Sequence, residues 1–186
     1  DVRFLLDEEI KSLMVALNNI DENRAFEREG RDLIKFYLQT GARAKEILSD
    51  LLKWKDVQED NLILSSSKTE SSRTIIITDG IRKILSNRDR NKPGPFSIGY
   101  YGAYNRVKFI LKKAKIENAS IQTLRKTAGA IHYKTHHDIF ATSKFLGHSS
   151  VKVTESHYVG LIQSLKTEYA IKYDKVLSDY FNTSEK

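Results

Sequence analysis

The order of apolar and polar positions along the chain reads mostly as helices. Ile10, Leu13, Met14 and Leu17 recur at i, i+3, i+4, i+7 behind Asp7, a residue able to cap, and predict a first helix. Leu33, Ile34, Tyr37 and Leu38 give residues 22–38 one apolar face. Thr40-Gly41 breaks that helix, with Gly41 as the residue just past its C-cap. Another helix is expected over 43–52. The period then shortens to two β-rich runs, 61–64 (NLIL) and 73–78 (RTIIIT). The polar stretch SSSKTESS between them suits a hairpin loop. Asp79 is placed to cap a helix running to about Leu85, and NRDRNKPGPFS, which holds both prolines, reads as a loop. A long basic helix follows at about 100–115. Two more cover 120–135 and 138–147, the second ending at Gly147. A last helix, about 161–181, lines up Ile162, Leu165, Tyr169, Tyr173, Val176, Leu177 and Tyr180. The expected fold is mainly α with a small antiparallel β-sheet, in one domain spanning 1–186.

Composition narrows the function classes. The absence of cysteine excludes a disulfide-stapled scaffold and thiolate chemistry. No apolar run approaches the ~20 residues that span a bilayer, so no membrane partner is expected. The net charge is +7, and it is unevenly placed. Residues 103–152 hold ten Lys/Arg against two acids, Glu117 and Asp138, so the whole positive excess lies there. A localised basic surface attracts polyanions, nucleic acid first among them, although solvated basic helix faces are common. Arg106, Lys108, Lys112, Lys113, Lys126 and, from the second strand, Arg73 are the candidate phosphate-backbone contacts. Tyr100, Tyr101, Tyr104 and Phe109 stand near the same helix. Stacking on DNA bases is open to them, and core packing is expected for at least half, since Tyr101, Tyr104 and Phe109 fall near one face.

Four segments can carry chemistry, each ordinary when taken singly. In Thr40-Gly41-Ala42-Arg43-Ala44-Lys45-Glu46, a glycine turn puts Arg43 at a helix start, where guanidinium and free N–H groups can face an anion. Glu46 can reach back to orient that turn. Lys68 sits in the hairpin loop, where a flexible lysine can swing toward a neighbouring site, and Arg73 stands close by. In Ile121-Gln122-Thr123-Leu124-Arg125-Lys126-Thr127, Gln122 and Arg125 share a helix face. In Leu146-Gly147-His148-Ser149-Ser150, the glycine leaves His148 at a helix end, with Tyr158 ten residues later. A zinc site at His132 and His136 lacks the glutamate of a HExxH helix, Tyr133 standing in its place, and no metal is expected.

In this order and spacing, TGAR-x-x-EIL, a hairpin lysine, LRKT and LGHSS…HY resemble the catalytic domain of tyrosine recombinases, the integrase family. The likeness runs from about Thr40 to Leu165. The segment SHYVGLIQSLKTEYAIKY is similar to integrases of archaeal viruses and plasmids. The resemblance implies the tyrosine recombinase catalytic-domain fold, forming the C-terminal part of a longer integrase. It implies Tyr158 as nucleophile, Arg43 and Arg125 as phosphate-binding arginines, Lys68 as the hairpin lysine and His148 as the histidine of LGH. The position before the second arginine, commonly histidine or lysine, is Gln122, which donates a hydrogen bond but does not titrate near neutral pH. His157 falls where the tyrosine of most bacterial members stands.

The activity so implied is site-specific DNA cleavage and rejoining through a covalent 3′-phosphotyrosine, without metal, cofactor or ATP, to integrate or excise a viral or plasmid genome. The implied partners are double-stranded DNA and further copies of the chain, in a tetramer on DNA, with the terminal helix packing in cis or in trans. The implied location is the cytoplasm, on the host chromosome. A type IB-like topoisomerase, a catalytically silent DNA-binding module of the same fold and a helical protein-interaction domain are the alternatives.

Overall fold

The computed structural model describes residues 3–65 and 72–183. Its elements are α1 (Asp7–Asn18), α2 (Ala25–Thr40), α3 (Ala44–Ile47), β1 (Asn61–Ser65), β2 (Ser72–Ile76), α4 (Asp79–Ser86), α5 (Tyr100–Lys113), α6 (Ile121–His136), α7 (Ile139–Leu146), α8 (Val151–Ser164) and α9 (Lys166–Thr183). α2 is the central strut, packed against α4, α5 and α6. It buries Leu33, Ile34, Phe36 and Tyr37, so the apolar face read from sequence does turn inward. Its polar face buries Glu27 and Asp32 as well, each compensated: Glu27 by Arg24 and Lys113, Asp32 by Arg31 and Arg88.

β1 and β2 form an antiparallel hairpin in the register Asn61↔Ile76 to Ser65↔Ser72. Period-two alternation puts Leu62, Leu64 and Ile75 into the core and leaves Ile76 outside. Lys68 lies outside the described residues.

Four expectations from the sequence change. The helix expected over 43–52 is a single turn. Leu48 is extended and buried, and Ser49 and Asp50 take left-handed backbone, where Ser49 N–H bonds the Ile98 carbonyl. Helix starts fall one residue off: Leu6 precedes α1, with Glu9 accepting its N–H, and Thr78 rather than Asp79 caps α4. The last helix is two, α8 and α9, meeting at Leu165. The aromatic expectation fails for Tyr101 and Phe109, which are 81% and 41% exposed, because α5 turns Ala103, Val107, Ile110 and Leu111 to the core instead.

Two apolar clusters result. The larger joins α1–α6 with the hairpin. The smaller consists of Ala130, Tyr133, Leu146, Tyr158 and Leu161, drawn from α6, α7 and α8. α9 extends from it with Ile171, Tyr173 and Val176 exposed, tied at its start by Tyr169 Oη to His137 Nδ1 (3.1 Å). No helix among the described residues is long and apolar enough to cross a membrane.

Candidate active site

Two helices end at glycines in left-handed backbone, α2 at Gly41 (φ 57°) and α7 at Gly147 (φ 67°). A helix C-terminus leaves carbonyls without intrahelical partners and carries the negative end of the dipole, so it favours cations. Three arginines take up these carbonyls. Arg125 of α6, 9% exposed, donates from Nη1 to Gly41 O and from Nη2 to Leu146 O (2.7 Å). Arg73 of β2 donates to Thr40 O (3.0 Å), Phe145 O (2.6 Å) and Gly41 O (3.3 Å). Arg43, the residue before α3, donates to Gly147 O (2.9 Å). The ends of α2 and α7 are thus stitched together through guanidinium groups from three separate segments.

Glu46 is the buried counter-charge. Its carboxylate accepts Arg43 N–H (2.6 Å), Arg43 Nη1 (2.9 Å) and Arg73 Nη2 (3.0 Å). Burial pushes its pKa up, but Arg73, the Arg43 N–H and Arg125 together outweigh this and leave it below the ordinary carboxylate value. Three guanidinium groups facing one carboxylate leave an excess of positive charge. Arg125 registers it: burial first, then repulsion from Arg43 and Arg73, pulls its pKa down to about 9 despite Glu46. An anion entering beside these groups would relieve that repulsion.

The space for one is a cleft of about 500 Å³. Arg43, Lys45, Gln122, Arg125, Lys126, His148, His157 and Tyr158 line it, with Tyr100 at its edge. Five of the six positions singled out from sequence as catalytic therefore meet at one cleft, and Lys68 lies outside the described residues. Gln122 is exposed on the first turn of α6. His148 follows Gly147, and its Nδ1 pairs with Oγ1 of Thr154 (2.7 Å), a residue fully buried in α8. Burial, then Arg125 and Arg43, push the His148 pKa down to about 4, so the ring is neutral at pH 7.

Tyr158 sits differently from the rest. It is 1% exposed, and its hydroxyl donates to the Lys126 carbonyl (2.9 Å) rather than pointing among the arginines. Gly129, one turn along α6, makes the room: a Cβ there would lie 2.1 Å from the Tyr158 hydroxyl. Burial raises the phenol pKa to about 12, with Arg125 opposing.

The candidate phosphate contacts divide. Arg73 is no surface ligand: its side chain is 10% exposed and spends its donors on internal carbonyls and Glu46. Arg106 Nε is paired with Glu29 (2.6 Å) and Lys113 with Glu27 (2.6 Å), both on α2. Part of the basic block thus neutralises α2, which charge counting along the chain does not reveal. Lys108 and Lys112 are exposed on α5, and Lys126 lines the cleft. Lys45, Thr154 and Gly129 are missed from sequence. Gly129 alone leaves a sequence signal, a glycine inside a helical pattern marking close approach.

Comparison with known proteins agrees with this arrangement. No family model matches the chain. It is 27% identical over 140 residues to tyrosine recombinase XerA of Saccharolobus solfataricus, covering 74% of this chain and 48% of that protein. It is 28% identical over 140 residues to the probable integrase/recombinase YoeC of Bacillus subtilis, covering 69% and 76%. The chain thus spans about half the length of XerA. Among solved structures, the fold matches XerH site-specific recombinase bound to palindromic difH substrate, with TM-score 0.71, 21% identity, and coverage of 92% of this chain and 54% of that one. It also matches the catalytic domain of bacteriophage HP1 integrase, with TM-score 0.65, 21% identity, and coverage of 93% and 95%. With the mostly helical fold, the two-stranded sheet and the motif residues gathered at one cleft, the chain is similar in sequence to these recombinases and shares the fold of tyrosine recombinase catalytic domains.

Proposed function

We propose that the cleft binds one phosphate of the DNA backbone and that the protein is a site-specific recombinase, cutting and rejoining strands through Tyr158. The observation that carries this reading is the excess of guanidinium over carboxylate at the joined ends of α2 and α7, in a cleft that also holds a tyrosine and two histidines. Arg43 and Arg125 grip the non-bridging oxygens, where charge concentrates as phosphorus becomes five-coordinate. Both are set before substrate arrives, so little reorganisation accompanies the reaction. His148, neutral and held through Nδ1, keeps Nε2 for the phosphate.

The covalent step needs Tyr158 to leave the Lys126 carbonyl. Its O–H proton passes to a base in the cleft, the phenolic oxygen bonds to phosphorus, and the bond to the 5′ oxygen breaks. Lys68 of the hairpin supplies the proton that oxygen takes. The 3′ phosphate stays on Tyr158 and retains the bond energy, so the reverse attack by a 5′ hydroxyl rejoins the strand without ATP. The arginines and lysine serve where other phosphoryl-transfer enzymes place a metal. Recombination joins two sites, so we place the protein in a tetramer on DNA. The exposed apolar residues Ile171, Tyr173 and Val176 of α9 suit docking on a neighbouring copy in that assembly. We place its role in the integration or excision of a viral or plasmid genome inside the host cell.

A suicide duplex, nicked so that the short 5′-hydroxyl fragment on the 3′ side of the cut diffuses away, tests this. The protein should form a denaturant-resistant adduct with DNA in the presence of chelator. Tyr158→Phe should bind the duplex equally well and form none. Binding without any adduct from the unaltered protein would make it a silent DNA-binding module, and cleavage revived only by Mg²⁺ would overturn the metal-free mechanism.

A further inference from the structure

Attack by a phenol held near pKa 12 requires a group to take its proton. Gln122, on the first turn of α6, cannot accept one at neutral pH. His148 has one ring nitrogen engaged by Thr154. A second imidazole lines the same cleft. His157 precedes Tyr158 on α8, half-buried. Its ring centroid lies 5.8 Å from that of His148 and 6.4 Å from that of Tyr158, nearly perpendicular to both. Of the two cleft histidines, it is the one in ring contact with Tyr158. Among the described residues no hydrogen bond holds either of its ring nitrogens.

We infer that His157 is a further catalytic residue, the base that removes the Tyr158 proton directly or through one water as the phenol swings from the Lys126 carbonyl into the cleft. This rests on the recombinase reading above. The proton balance is complete: the phenolic O–H is exchanged for an imidazolium N–H on His157, and rejoining returns the proton to the leaving phenolate. The groups around His157 suit the task. Arg125 and Lys126 on α6, Arg43 and Lys45 at α3, and His148 after α7 line its surroundings with cations and a neutral ring. Burial first, then Lys126 and Arg125, hold His157 below the ordinary histidine pKa, so it is a free base at pH 7.

Single-turnover adduct formation on the suicide duplex, followed across pH 5–9, tests this. The unaltered protein should show a rate that rises with pH through one histidine titration and then levels. His157→Gln should slow adduct formation about 100-fold at pH 7, within the range for loss of a general base. That titration should disappear, while duplex affinity and thermal unfolding stay unchanged. In His157→Ala, added imidazole should restore at least tenfold, which a purely structural role for the ring would not allow. His157→Gln within threefold of the unaltered rate with the titration intact would overturn the inference, as would equal losses of affinity and rate at every pH. An acid-labile adduct persisting in Tyr158→Phe would overturn it differently, by making His157 the nucleophile. If the unaltered protein forms no adduct at all, the recombinase reading itself has failed.

Discussion

The two walls of the cleft are built on opposite principles. On one, Arg43, Arg73 and Arg125 share Glu46 and the carbonyls of Thr40, Gly41, Phe145, Leu146 and Gly147. That network is seated on the larger core through Ala42, Ile47 and Leu48, each at most 2% exposed. On the other, α8 buries only Thr154, Tyr158 and Leu161, against a small cluster, and is followed by the largely exposed α9. Burial in that cluster and one hydroxyl-to-carbonyl bond, the latter worth about 1 kcal/mol net, hold Tyr158 in place. The three arginines are therefore fixed in advance by a shared polar network, whereas Tyr158 sits on a helix packed mainly against the smaller cluster. In the proposed reaction, binding energy from DNA need move only the second wall, which would withhold Tyr158 until substrate is seated.

The sharpest test of the first wall is Glu46→Gln. It keeps the shape but removes the only carboxylate that, among the described residues, these three cations share, with two of the cations largely buried. Breaking a buried charge network this way costs about 3–5 kcal/mol, so the midpoint of urea unfolding should fall steeply. A loss below about 0.5 kcal/mol, the size of an exposed pair, would mean that this wall is no more fixed than the other.

The second wall is probed by Gly129→Ala. The added methyl would occupy the space of the Tyr158 hydroxyl and crowd Leu146, at 2.1 and 2.8 Å. Overpacking of this kind costs about 1–3 kcal/mol. The contrast predicts that Tyr158 gives way and the arginine wall does not. Its phenol should then titrate below the present value of about 12, toward the ordinary 10. Ultraviolet titration of the tyrosinate, with Tyr158→Phe as the difference control, reads this directly. An unchanged phenol pKa with a large loss of stability would show α8 to be as rigid as the network facing it.

Legibility in the sequence follows the same division. Helices with a strong apolar stripe, such as α2, and the hairpin with its alternating residues could be read directly, because local periodicity determines them. The short α3 could not: its end depends on Leu48 turning into the core and Ser49 bonding Ile98, contacts far apart in sequence. Arg43, Gln122, Arg125, His148 and Tyr158 were found by spacing and resemblance, and their common cleft is a tertiary fact. Arg73 was misread as a surface cation because its partners, the carbonyls at two helix ends, carry no residue-type signature. The pairing of Arg106 and Lys113 with Glu29 and Glu27 was not legible for a related reason, since those acids lie some eighty residues away. The sequestered pose of Tyr158 had one trace, Gly129, legible only once α8 is known to cross it.

The smallest expected effect concerns the joint between the walls. His148 ends the turn after Gly147 and pairs with Thr154 of α8, so it touches both. Its pKa is lowered in the fold, from an ordinary 6.5 to about 4, chiefly by burial and then by Arg125 and Arg43. Between those values the unfolded chain binds a proton that the folded one refuses, so stability must fall as pH falls. The contribution is present in full above pH 6.5 and is lost progressively toward pH 4. The ring is only partly buried, so the effect should be about 1 kcal/mol once solvent screening is allowed for. His148→Gln should therefore show a shallower loss of stability than the unaltered protein between pH 6.5 and 4.5, measured by urea unfolding at each pH. His132 and His157 are also shifted down and titrate in both proteins, so they cancel in the difference. Glu46, its own pKa depressed, sets the steeper loss expected below pH 4.5 in both. Parallel curves through the upper window would mean that His148 is not held neutral between the walls, and that the cations opposite it are screened from it.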